Sequence, residues 1–217
     1  MLQRFVLYFS LGFIALCLVV NYMNKHSDMV FVQSTVDGKS YMVRNLPDKQ
    51  QAADILATLG AKMKTLADHV WSIRDSQDEF CSLQIEALRR RFDPDKISEA
   101  PADSHNTSYS VNKEKIFLCI RSKADPSSFV DLNTLLYVLA HEGSHIASLT
   151  VGHNDQFWSN FRFILREAVK LGIYKHVDYA KNPQSYCGIT ISSSAYDPAN
   201  DNLQEILKTP NTSQSCR

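Results

Sequence analysis

Apolar residues follow several different rhythms along this chain. From Phe5 to Val20 they run continuously, without charge, broken only by Ser10 and Gly12. Met29 to Gln33 and Lys39 to Arg44 read as short strands around a Val36-Asp37-Gly38 turn. From Asp48 onward, Ala52, Leu56, Leu59, Met63, Leu66 and Val70 recur every three or four positions, which predicts a helix with one buried face. Ser76 to Arg91 predicts a second, with Phe80, Leu83, Ala87 and Leu88 inward, stopped by Phe92-Asp93-Pro94. Ile97 to Ser108 reads as a polar surface loop.

The second half alternates differently. Tyr109 to Val111 and Lys115 to Arg121 read as strands, the latter with Ile116, Leu118 and Ile120 on one face. Asp131 is the expected N-cap of a helix that runs to about Ser148, with Leu135, Leu136, Val138 and Leu139 buried. Gly152 stops it. Asn154 or Asp155 caps a further helix carrying Phe157, Phe161, Ile164, Leu165 and Ala168, closed by Gly172. The tail is irregular apart from a strand expected at Gly188 to Ile191.

The first apolar run predicts an uncleaved, single-pass N-terminal transmembrane helix over residues 1–26, and hence a membrane location. At the helical rise it spans about 24 Å, against about 30 Å for a hydrocarbon core. Met1, Leu2, Tyr22 and Met23, counted as interfacial, close most of the gap. A cleaved signal peptide competes, but the Asn, Tyr and Met that follow are poor for cleavage. Arg4 and Lys25 nearly cancel, so orientation is not readable.

The chain has 217 residues, with Lys plus Arg and Asp plus Glu at 23 each, so no overall field draws it to nucleic acid, which is not an expected partner. Arg89 to Arg91 suit a solvated helix C-terminus. Cys81, Cys119, Cys187 and Cys216 fit no zinc-knuckle spacing and permit three disulfide pairings or none. Sequons at Asn106 and Asn211 decide nothing, because so short a pattern recurs by chance.

The densest chemistry is His141-Glu142-Gly143-Ser144-His145, with His153 eight residues further on. Residues four apart share a helix face, so His141 and His145 can reach one cation. Glu142 is turned about 100° away and suits a general base acting on a water that the metal activates. A turn at Val151-Gly152 lets His153 offer a third nitrogen, leaving one position of a tetrahedral zinc ion open. In so apolar a helix, burying these polar groups without a shared partner is costly. Gly143 costs about 1 kcal/mol relative to Ala in a helix. Close approach of a strand or of substrate is the expected compensation.

Residues 108–191 also resemble the zinc metallopeptidases of large nucleocytoplasmic DNA viruses, which belong with the WLM and SprT-like proteases, compact members of the gluzincin-like group. The resemblance runs through Asn112-Lys113, Lys115 to Arg121, Asp131 to Leu135, the His141 to His145 motif and Gly152-His153. It continues through Phe157-Trp158, Phe161, Gly172 to Lys175, Val177 to Tyr179, Asn182-Pro183 and Tyr186-Cys187-Gly188. It implies Zn2+ bound by His141, His145 and His153, with Glu142 as the base. It also implies a strand beside the active-site helix that pairs with extended substrate. Lys115 to Arg121, with Phe117 and Cys119, is the candidate. Tyr186 and Tyr179 are candidates for stabilising the oxyanion, and Phe157 and Trp158 for packing the His153 loop. Gly143 departs from the pattern, in which an aliphatic residue is usual.

The expectation is therefore an α+β chain. An anchor at 1–26 precedes a strand hairpin and two amphipathic helices at 27–107, which pack on the catalytic part. A zincin-like core at 108–195 follows, with a small antiparallel or mixed sheet on the HExxH helix, and a polar tail at 196–217. The expected function is that of a membrane-anchored zinc endopeptidase acting on protein or peptide, at a viral or host internal membrane or in the virion. The alternative is a virion membrane protein that keeps the peptidase scaffold as an interaction module, with viral capsid or membrane proteins as partners.

Overall fold

The computed structural model describes residues 2–25, 28–104 and 107–199. The chain runs α1 (Leu2–Lys25), β1 (Met29–Gln33), β2 (Ser40–Arg44), α2 (Lys49–Ser72), α3 (Glu79–Arg91), β3 (Ile97–Glu99), β4 (Tyr109–Val111) and β5 (Lys115–Leu118). It continues with α4 (Leu132–Ala147), α5 (Asp155–Lys170), β6 (Gln184–Tyr186) and β7 (Ile189–Ile191). The architecture is α+β with small sheets: hairpins β1–β2 and β6–β7, and a mixed three-stranded sheet ordered β3-β5-β4.

Helices α2, α4 and α5 bury the stripes that their spacing predicts. On α3, Ala87 and Leu88 are buried as expected, but Leu83 is 48% exposed and Phe80 half-buried, and Cys81, Gln84 and Ile85 face inward instead. On α2, Leu56, Leu59 and Val70 are fully covered. On α4, Leu135, Leu139 and Ile146 are too, and most of that helix is enclosed. Side chains close the helix starts: Asp131 accepts Thr134 N–H at 3.0 Å, Asp78 accepts Cys81 N–H at 2.8 Å, and Asn154 accepts Phe157 N–H at 3.2 Å. Each cap satisfies an N–H that the helix itself cannot pair. One buried cluster joins the elements, from Tyr41 on β2 to Tyr196 beyond β7, so the first hairpin and α2–α3 share a core with α4 and α5.

Three further expectations change. The segment expected as a polar loop contains β3, which runs parallel to β5 with Ile97 opposite Ile116 and Glu99 opposite Leu118. Glu99 is 1% exposed and tolerates it because Arg121 Nε donates to its Oε1 at 2.7 Å and Arg44 N–H to its Oε2 at 2.8 Å. Second, β5 is the middle strand and not a free edge, flanked by β3 and β4.

Third, among the described residues no helix is long and apolar enough to cross a membrane. This overturns the single-pass anchor and the membrane location that followed from it. The physical reason lies in the flanks of α1. Its uncharged stretch spans about 24 Å, and the extra helical length on either side carries Gln3, Arg4, Asn21, Asn24 and Lys25. The described side chains between Tyr8 and Val20 are exposed. Asn106, Asn211, Cys216 and the tail from residue 200 lie outside the described residues.

Candidate metal centre

Helix α4 presents His141 and His145 one turn apart, and the segment after it returns His153 to them. Gly152, at φ +88°, makes that return possible, because a left-handed backbone is costly for other residues. Gln156 holds the turn from below: its Oε1 accepts Leu149 N–H, Thr150 N–H and the Thr150 hydroxyl at 2.8, 2.9 and 2.8 Å. Lys113 holds it from the side, its ammonium donating to the carbonyls of Ser148 and Thr150 at 2.5 and 2.7 Å. Arg91 donates to the Ile146 carbonyl at 2.9 Å. Two cations thus sit where the α4 dipole is negative.

The three rings converge. His153 Nε2 lies 3.1 Å from both His145 Nε2 and His141 Nε2. One ligand atom from each ring lies within 4.8 Å of the others, so the three could hold a metal ion. Phe157, fully buried, supports all three rings, its centroid 4.8, 4.3 and 4.6 Å from those of His141, His145 and His153. Burial first, then the facing rings of His145 and His153, push His141 down to about 3. Burial, His153 and Lys113 take His145 to about 4. Both are therefore uncharged at neutral pH, the state in which an imidazole nitrogen can ligate a metal. A zinc ion with nitrogens at about 2.0–2.1 Å would space them about 3.3 Å apart in a tetrahedron, close to the observed separation. The donor set fits.

A cleft of about 500 Å³ opens over the rings. Glu142 lines it, 3% exposed, and its Oε2 has no hydrogen-bond partner among the described residues. Burial raises its carboxyl to about 7, against the lowering effect of the Ser110 hydroxyl. Ser108, Tyr109 and Ser110 form the opposite wall with Lys113.

The remaining candidates fall elsewhere. Tyr179 is buried in the core, its ring edge-on to Tyr137 at 4.8 Å, and does not line the cleft. Tyr186 is 2% exposed and stands behind Ser108, their oxygens 2.6 Å apart. Phe117 stacks on Tyr109 at 5.0 Å, and Cys119 is disulfide-bonded to Cys187; neither lines the cleft. The sequence reasoning missed Ser108, Ser110 and Lys113. Their only local signal is Asn112, a residue that tolerates the left-handed backbone found at Asn112 and Lys113 (φ 53° and 55°), where the β4–β5 turn folds this wall over the rings.

No family model matches the chain. Uncharacterized protein 136R of Invertebrate iridescent virus 6 is 34% identical over 94 residues, 42% of this chain and 48% of that protein. Uncharacterized protein 042R of Invertebrate iridescent virus 3 is 34% identical over 83 residues, 38% of this chain and 50% of that one. Among solved structures, Wss1 from Saccharomyces cerevisiae overlaps with a TM-score of 0.41 and 20% identity, covering 60% of this chain and 88% of Wss1. Overlap of that size leaves the chemistry to be read from the site's own residues. Uncharacterized protein R325 of Acanthamoeba polyphaga mimivirus is 33% identical over 183 residues, 82% of this chain and 91% of R325. Sharing a third of its residues along nearly the whole of R325, the chain belongs to the family of that mimivirus protein.

Proposed function

We propose that the protein is a zinc-dependent endopeptidase, with His141, His145 and His153 as ligands and Glu142 as general base. The observation that carries this reading is the convergence of three Nε2 atoms, at 3.1 Å from His153 to each of the others, in one cleft with a buried carboxylate. A zinc ion there supplies Lewis acidity and brings the pKa of a water to about 7. With zinc bound, Glu142 would accept the proton of a water attacking the peptide carbonyl and would return it to the departing amine. Its burial and its free Oε2 suit a group that must trade a proton on each turnover.

The strand that receives substrate in this reading is β4, not β5. Among the described residues β4 pairs with β5 alone, which leaves its other edge without a strand partner there, and Tyr109 and Ser110 line the cleft. An extended peptide added to that edge gains backbone hydrogen bonds without demanding a particular sequence. Elemental analysis with turnover of an unfolded protein tests the reading: one zinc per chain and zinc-dependent cleavage support it. Zinc-loaded protein without cleavage refutes it.

A further inference from the structure

The hydroxyl expected to meet the oxyanion, that of Tyr186, is shut off from the cleft, and Ser108 stands between the two. A serine oxygen offers one proton and two lone pairs. Ser108 Oγ accepts Cys119 N–H at 2.9 Å and lies 2.6 Å from Tyr186 Oη. If Ser108 donated to Tyr186, the tyrosine proton would be left in a site 2% exposed. Stranding a buried donor is costly, so the consistent arrangement has Tyr186 donating. Both lone pairs of Ser108 are then occupied. That arrangement leaves its proton uncommitted and free to serve the cleft that Ser108 lines together with the three histidines and Glu142.

We propose that Ser108 is the hydrogen-bond donor that receives the peptide carbonyl oxygen as it acquires negative charge, with Tyr186 and the Cys119 N–H as its positioning groups. This rests on the peptidase reading above. A donor fixed before the reaction needs no reorganisation as charge develops, and that is the source of its effect on rate. The Cys119–Cys187 disulfide keeps the arrangement in register. Cys119 supplies one of the two bonds, and Cys187 follows directly on Tyr186, which supplies the other.

The test uses the zinc-loaded full chain. A peptide phosphonamidate serves as a tetrahedral anionic probe, its affinity read by calorimetry, and kcat and KM are read on casein. Ser108→Ala should weaken probe binding by about 10- to 100-fold and lower kcat by about 10²- to 10³-fold. KM and zinc content should hold. Ser108→Thr, which restores a hydroxyl, should recover most of both losses. Tyr186→Phe should show smaller losses in the same direction, because Ser108 keeps its proton but loses its orientation. Wild-type probe affinity in Ser108→Ala overturns the proposal, as does a Ser108→Thr chain as impaired as the alanine variant, or a zinc-loaded wild type that does not bind the probe. A wild type that binds the probe through Ser108 yet cleaves nothing contradicts the peptidase reading alone.

Discussion

Met63 of α2 packs directly over Gly143 of α4: a Cβ built on the glycine would lie 2.3 Å from Met63 Cε. The space a side chain would fill at this position is taken by the neighbouring helix, not by a strand or by substrate. Gly143→Ala gains about 1 kcal/mol of helix propensity and displaces only the end of a flexible thioether. It should leave stability within about 1 kcal/mol of wild type. Gly143→Leu should cost about 1–3 kcal/mol through overpacking, and Met63→Ala should recover part of that. Denaturant midpoints decide; an undiminished midpoint in Gly143→Leu contradicts the packing account.

The segment that carries His153 is organised by one side-chain oxygen, Gln156 Oε1, with three donors on it. Gln156→Ala removes that acceptor without changing charge. Supports of this kind matter to metal affinity by about 10- to 100-fold, so a loss in that range is expected in competition with a chromophoric chelator. Gln156→Glu, which keeps an acceptor oxygen, should lose less. Equal affinity in the alanine variant would show that the turn holds His153 without Gln156.

Glu99 and Arg121 form an ion pair with both side chains 1% exposed, and Asp48 joins at Arg121 Nη1. Removing one partner of a buried pair costs about 3–5 kcal/mol when the remaining charge has no other partner; Arg121 keeps Asp48, so the cost here falls below that range. Glu99→Ala should therefore unfold at lower denaturant, and Asp48→Ala added to it, which leaves Arg121 with no carboxylate, should deepen the loss. If the single variant is as stable as wild type, the pair does not hold β3 in the sheet.

These residues also show where the sequence was informative. The α4 motif was legible because cap, apolar spacing and the His141/His145 interval are all local, set by one helical period. The triad needed only a turn after it, and Gly152 announced one. β3 was hidden because Glu99 looks like a surface residue until Arg121, 22 positions later, is folded against it. The alternation of β5 reports a buried face but says nothing about its edges, so its central position could not be read. Tyr179 and Tyr186 lie in similar sequence surroundings, yet tertiary packing puts one in the core beside Tyr137 and the other behind Ser108. The apolar run of α1 suggested a span, and only its length against its polar flanks corrected that.

The Cys119–Cys187 disulfide joins the segment after β5 to the β6–β7 hairpin across 68 residues of chain. Closing so long a loop typically stabilises by about 2–4 kcal/mol. Cys119→Ser with Cys187→Ser should lower the melting temperature by about 2–4 °C per kcal/mol lost. On the reading above it should also lower kcat more than KM, because Tyr186 is no longer held on Ser108. A lower melting temperature with unchanged kcat would confine the disulfide to stability.

The most direct test of the central claim is turnover of an unfolded protein by wild type and Glu142→Gln, each with its zinc content measured on the same sample. The glutamine keeps the shape of the carboxylate but cannot accept the proton from water. The account predicts one zinc per chain in both proteins, cleavage by wild type, and a loss of at least about 10²-fold in the variant. Equal turnover in the two at equal zinc would contradict it.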